Sequence, residues 1–247
     1  MGDAKSNLDV APGSGDALAP LRLIALVLVQ EGHVALSLGR GEHWRVDAGY
    51  TFIPLALPGG AMDDSARSAL AVDADATLDA RIERIGRAHL GQPARVRRGR
   101  WCYGASDAHA VDRRAVSAED APGPLLEVRR ALPLDDDHAP GIADVARPPL
   151  RSVVVRAYRV ALAGPAMPGP ETAGLVWLTL DALRRTIGGL PLADWRKLRG
   201  ARCDIAKDAT LPDDAFVYVP GDYGERYLLR AASKYGVEAV LPPDDAG

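Results

Sequence analysis

Leu55-Ala-Leu-Pro-Gly-Gly60 ends an apolar run, and Leu78-Asp-Ala-Arg-Ile-Glu-Arg-Ile-Gly-Arg-Ala-His-Leu-Gly91 follows after an acidic loop with Asp63 and Asp64. The first segment extends a strand from Tyr50 to Leu57, with Pro54 marking an edge or a bulge and Pro58-Gly59-Gly60 stopping it. In the second, the period becomes helical over Asp75–His89. Leu78, Ile82, Ile85 and His89 share one narrow face at i, i+4, i+7 and i+11. Gly91 suits the left-handed C-terminal cap, and Asp73 or Asp75 can cap the N-terminus. Asp75, Asp79, Glu83 and Arg87 form a second stripe at i+4 spacing.

Upstream, Leu21–Gln30 is almost continuously apolar, as a strand covered on both faces should be, and Glu31-Gly32 turns it into a second strand, His33–Leu38. The two are expected to form a hairpin. Downstream, Arg95–Tyr103 (RVRRGRWCY) reads as a basic strand. Its arginines either grip phosphates beside Trp101 and Tyr103 or form the charged outer face of an edge strand, and the second reading is favoured. Residues 104–150 shift towards Ala, Asp and Pro and are expected to be a partly irregular insertion, strand-like only at Leu125–Leu134.

Arg151–Ala163 alternates as a strong strand and Leu175–Leu178 as a short one. Thr179 can cap a helix that buries Leu180, Leu183 and Ile187, and Leu192–Leu198 is expected to form another short helix. Phe216–Val219 is β-like. Asp222-Tyr-Gly-Glu225 has capping-box spacing at the start of a last helix, which Gly236 ends. Strands and helices are mixed, with too few helices for a doubly wound sheet. The organisation expected is a tail over residues 1–20, one domain over 21–235 and a tail over 236–247.

Composition excludes several classes of function. The 247 residues are 47% hydrophobic but only 5% aromatic, so Leu, Val, Ile and Ala must build the core. Lys+Arg 30 against Asp+Glu 33, net −3, gives no general attraction to nucleic acid or anionic membranes. Neither a signal peptide nor a run of ~18 apolar residues is visible. Met1-Gly-Asp-Ala-Lys-Ser6 fits a myristoylation pattern, but a frayed tail is the better reading of a chain whose Ala, Arg, Gly and Pro usage points to a high-GC bacterial gene. Cys102 and Cys203 stand alone, which argues for a reducing, cytoplasmic setting and against a thiolate metal cage.

Leu57-Pro-Gly-Gly60 followed by a helix with Arg84 and a closing Gly91, and Val176-Trp-Leu-Thr-Leu-Asp-Ala-Leu183 with Glu171 upstream, resemble the Nudix hydrolase family over most of residues 21–235. The resemblance implies an α+β fold, an α/β/α sandwich with a mixed sheet between helices. In the family, glutamates of the signature G-x5-E-x7-R-E-U-x-E-E-x-G-U (U aliphatic) hold magnesium, which neutralises a pyrophosphate and activates water. Here the positions of those glutamates fall on Ala66, Ile85, Ala88 and His89, and the interval from Gly60 to Gly91 is longer than the signature allows. The box is degenerate.

The resemblance with its acids missing implies a binding or interaction role for a small nucleotide, with Gly59, Gly60 and Arg84 as binding candidates and no certain cofactor. The alternative is a Mg²⁺-dependent hydrolase of a nucleoside-diphosphate-linked compound, with Glu83 and Glu171 catalytic and Asp79 and Glu83 as metal ligands. A solvated helix face with a Glu83–Arg87 pair explains the same stripe and is favoured. His89 is expected as a hydrogen-bonded core or boundary histidine. Neither nucleic acid nor a membrane is an expected partner, and a homodimer is compatible with the chain.

Overall fold

The computed structural model describes residues 21–61, 77–105, 111–117, 122–133, 150–220 and 224–242. Strands β1 (Leu21–Val27), β2 (Val29–Gln30), β3 (His33–Gly39), β4 (Arg45–Asp47), β5 (Tyr50–Ala56) and β6 (Gly59–Ala61) precede helix α1 (Leu78–Leu90). Next come β7 (Ala94–Val96), β8 (Trp101–Ala105), β9 (Val111–Ala115), β10 (Leu126–Pro133), β11 (Leu150–Leu162) and β12 (Thr172–Leu178). The chain then forms α2 (Leu180–Thr186), β13 (Leu190–Pro191), α3 (Leu192–Trp195), β14 (Ala201–Ile205), β15 (Phe216–Tyr218), α4 (Glu225–Tyr235) and α5 (Val237–Val240).

Two mixed sheets result. One runs β6-β1-β11-β10-β8-β9, with β7 also on β11; the other runs β13-β15-β5-β3-β12-β14, with β2 on β3 and β4 on β5. β1 pairs parallel with β11 in register from Leu21↔Val153 to Val27↔Arg159. The apolar run of β1 is explained by burial on both faces. Ile24, Leu26 and Leu28 pack with Ile82, Ile85 and Leu90 of α1, while Ala25 and Val27 join the larger core beneath Leu228, Leu229 and Ala232 of α4 and Leu183 of α2. The fold is therefore α+β, a mixed sheet layer with helices on both sides.

Several local expectations are corrected. Residues 21–30 do not form one hairpin strand. The chain breaks at Leu28, β1 goes to the first sheet, and only Val29↔Val34 and Gln30↔His33 pair as a hairpin. The basic run 95–103 is split between two strands, β7 and β8, joined by an irregular segment over residues 97–100. Val111–Ala115, expected to be irregular, is an edge strand antiparallel to β8, and β10 lies inside the sheet between β8 and β11. Within the expected C-terminal tail, residues 237–241 carry α5, with Val240 and Leu241 buried. Thr77 caps α1 by accepting the Ala80 N–H at 3.3 Å. The loop with Asp63 and Asp64, the proposed caps Asp73 and Asp75, and the tail before residue 21 lie outside the described residues.

Thr179 caps α2 as expected, accepting the Ala182 N–H at 3.2 Å, and Gly91 closes α1 with φ +68°. Gly86 lets α1 approach β7. A Cβ there would lie 2.5 Å from the Ala94 nitrogen and 2.6 Å from the Gln92 oxygen, both backbone atoms that cannot swing aside. Helix propensity alone favours Ala over Gly by about 1 kcal/mol. The contact opposes it, and overpacking of this kind costs about 1–3 kcal/mol or more. Gly86→Ala is expected to lower the melting temperature by several degrees, roughly 2–4 °C per kcal/mol lost in a chain of this size. A rise in the thermal melt would show that α1 does not sit this close to β7.

Candidate functional site

Between the sheets lies a cleft of about 550 Å³, within the size range of small-molecule sites. Its walls are apolar: Leu21, Leu23 and Ala25 from β1, Val155 from β11, and Pro54, Ala56 and Leu57 from β5 and its exit. Gly59 and Gly60 form one lip. A Cβ on Gly59 would stand 2.7 Å from the Ile24 carbonyl oxygen, so only glycine lets this turn pair against β1. The Leu26 N–H donates to the Pro58 carbonyl at 2.7 Å and fixes the same approach.

Besides His43, four polar side chains reach the cleft from separate elements. Ser37, 8% exposed, is the lone hydroxyl of the buried strand β3. Its Oγ lies 3.2 Å from Nδ1 of His89 in the last turn of α1. Nε2 of His89 is 3.7 Å from the Glu171 carboxylate. Burial pushes the His89 pKa down, opposed first by the Glu171 charge and then by a hydrogen bond to the Gly59 backbone, with His43 adding to the lowering. The surroundings as a whole disfavour the imidazolium, although the ring occupies a helix C-terminus, where a cation is otherwise favoured. A neutral imidazole beside a hydroxyl and a carboxylate can take or pass a proton.

Glu171 is positioned by its backbone. The Met167, Gly169 and Glu171 N–H groups donate to the carbonyls of Leu90, His89 and Ala88, the terminal acceptors of α1 that have no partner within the helix. The carboxylate itself remains 68% exposed at the rim.

The fourth group is Glu225, which the capping-box reading misplaced. It opens α4, but its side chain makes no cap with Gly224. It is 1% exposed, and its Oε1 accepts the Leu57 N–H at 2.6 Å. Oε2 has no hydrogen-bond partner among the described residues. Burial raises its pKa from 4.5 to about 7, against the pull of the Leu57 N–H and its own N–H. The sequence did carry a signal: Glu225 stands at i, i+3, i+4 and i+7 with Leu228, Leu229 and Ala232, on the buried stripe of its helix.

The sequence-derived candidates are thus divided. Gly59, Gly60 and Glu171 come together at the cleft, with His89 beside them. Asp79, Glu83 and Arg84 do not line it. Asp79 and Arg84 lie on the exposed side of α1, and Glu83 pairs with Arg87 at 3.6 Å. Facing Gly60 from α1 is Ile85, whose side chain would be 3.6 Å from a Cβ there. Among the described residues no three His, Cys, Asp or Glu side chains are grouped to hold a metal ion, and neither Lys nor Arg lines the cleft. The donor set of the described residues does not fit a magnesium ion, which demands several oxygens in near-octahedral array.

No family model and no curated protein matches the chain. Solved structures do resemble it, at low identity and low superposition. They include a NUDIX hydrolase from Nitrosomonas europaea (TM-score 0.30, 11% identity, 64% of this chain and 57% of that one). Another is a NUDIX-family hydrolase from Clostridium perfringens (0.36, 11%, 68% and 87%). A third is an ADP-ribose pyrophosphatase from Streptococcus suis (0.30, 14%, 66% and 76%). The match spans little more than half the length of the Nitrosomonas protein.

Glu225 makes stability depend on pH in a defined direction. Its folded pKa, about 7, lies above the ordinary 4.5, so between these values the folded chain holds a proton that the unfolded chain has lost. The stability it confers is complete below pH 4.5 and is lost as pH rises through about 7. Glu225→Gln keeps an acceptor for Leu57 and abolishes the titration, and His89 is common to both proteins. In urea denaturation, the stability of the variant relative to the parent is expected to grow by up to about 3 kcal/mol between acid and mildly alkaline pH, the equivalent of that pKa displacement. A difference independent of pH would show that the carboxyl titrates normally.

Proposed function

We propose that the cleft binds a small molecule of nucleoside size and that the protein acts through binding, not through metal-assisted cleavage of a diphosphate bond. The observation that carries this reading is the face that α1 turns towards Gly59-Gly60, which is Ile85 and His89 where a hydrolase of this kind needs clustered carboxylates. The acids of α1 lie outside the cleft and are solvated or paired. The apolar walls bind a ring or an alkyl body, and Ser37, His89 and Glu171 supply a polar rim.

A cytoplasmic setting belongs to the same proposal and is supported by the free thiols Cys102 and Cys203. Burial pushes the latter up to about 12, so its thiolate is scarce. No helix among the described residues is long and apolar enough to cross a membrane.

One contact favours the second reading, Mg²⁺-dependent hydrolysis of a nucleoside-diphosphate-linked compound: Glu171 lies 3.7 Å from His89, and such a pair can accept a proton from water. A panel of dinucleotide and nucleotide-sugar pyrophosphates with Mg²⁺ or Mn²⁺ separates the two. The binding reading expects no turnover above background, with nucleoside binding detectable by calorimetry and unchanged in Glu83→Gln. Metal-dependent turnover abolished by Glu83→Gln or Glu171→Gln would establish the hydrolase.

A further inference from the structure

We infer that Glu225 is the recognition group of the cleft, and that the ligand presents to it an N–H donor edge carried on an otherwise apolar ring. This rests on the proposal that the cleft binds a small molecule, and it specifies the chemistry of that molecule.

Glu225 is 1% exposed and lines the cleft, with one oxygen engaged and the other without a partner among the described residues. A buried acceptor left unsatisfied is costly, and folded proteins rarely keep one without a use. Anchoring Leu57 does not explain the residue type. A glutamine accepts the same N–H without the burden of an ionisable group in an apolar site. What a glutamine cannot do is offer a second acceptor. Its amide nitrogen is a donor, and the edge facing the cleft would change sign.

The remaining surfaces narrow the ligand further. Leu21, Leu23, Leu57 and Val155 present no polar atoms to its body, and among the described residues the lining holds no Lys or Arg to meet an anionic group, only His43 and His89. In its ionised form, an acceptor carboxylate beside apolar walls selects an amine, an amidine or the amino edge of a heteroaromatic ring. A carboxylate or phosphate brought to the same place would face that ionised carboxyl as a like charge. The raised pKa acts in the same direction, because a cationic or strongly donating ligand favours the ionised carboxyl that burial alone disfavours.

Benzamidine, benzamide and benzoate test this, since they share one ring and differ in the donors they carry. By calorimetry or ligand-observed NMR the full chain is expected to bind benzamidine at least about tenfold more tightly than benzoate, with benzamide between them, the scale of one charge-assisted buried hydrogen bond. Glu225→Gln, checked for folding by circular dichroism, is expected to lose that preference or to invert it towards benzoate. Benzamidine is also expected to shift the Glu225 side-chain carboxyl ¹³C resonance in the unsubstituted protein, a readout that survives if the variant does not fold. Equal affinity for benzoate, no measurable binding of any probe, or an unmoved Glu225 carboxyl would overturn the inference. If diphosphate turnover were found while benzamidine still competed through Glu225, the binding-only function would fall and this inference would stand. If no turnover were found and benzoate bound as well as benzamidine, the reverse would hold.

Discussion

Burial of β1 on both faces is the constraint from which the architecture follows. A strand reading Leu-Arg-Leu-Ile-Ala-Leu-Val must be covered twice, since each exposed aliphatic side chain forfeits about 1.5–3 kcal/mol of transfer free energy. Ile24, Leu26 and Leu28 require α1 above them, and Ala25 and Val27 require the core under α2 and α4 below. β11, a 13-residue strand, supplies a parallel neighbour along its whole length. Because β1 then meets Gly59-Gly60 on its other edge, the turn leaving β5 is drawn against it, and the cleft opens where the two sheets part.

That geometry separates α1 into a working side and a solvated side. Ile82, Ile85 and Leu90 are spent on the core, and His89 reaches the cleft from the last turn. Glu83 and Arg87 remain outside, where an i, i+4 pair is worth a few tenths of a kcal/mol. A charge stripe and a metal site have the same spacing in sequence. Only the direction of the helix relative to the Gly-Gly turn distinguishes them, and here it places the acids away from the turn.

Much of the frame was legible from residues alone. The continuous apolar run of β1, the helical period of α1, the Thr179 cap and the glycine closing α1 all follow from local preference and burial. What was not legible depended on partners distant in sequence. Val111–Ala115, with only Val111 buried, is a strand because β8 offers it an edge, not because its own residues demand one. The break at Leu28 is set by competition between β3 and β11 for the same run. Gly59, Gly60 and Glu171 line the cleft, and Asp79, Glu83 and Arg84 do not. Glu225 was missed because its spacing fitted a helix cap, although its position on the apolar stripe already argued for an inward direction.

The strap from Met167 to Glu171 ties the rim of the cleft to the end of a helix. Its three amide donors are the partners of the final carbonyls of α1, so lifting the strap breaks three hydrogen bonds and leaves those carbonyls to water. Widening the entrance there costs those bonds alone, because the ladder within α1 does not use these carbonyls. The mouth of the cleft is thus fastened to the one part of α1 that can be released without unwinding it.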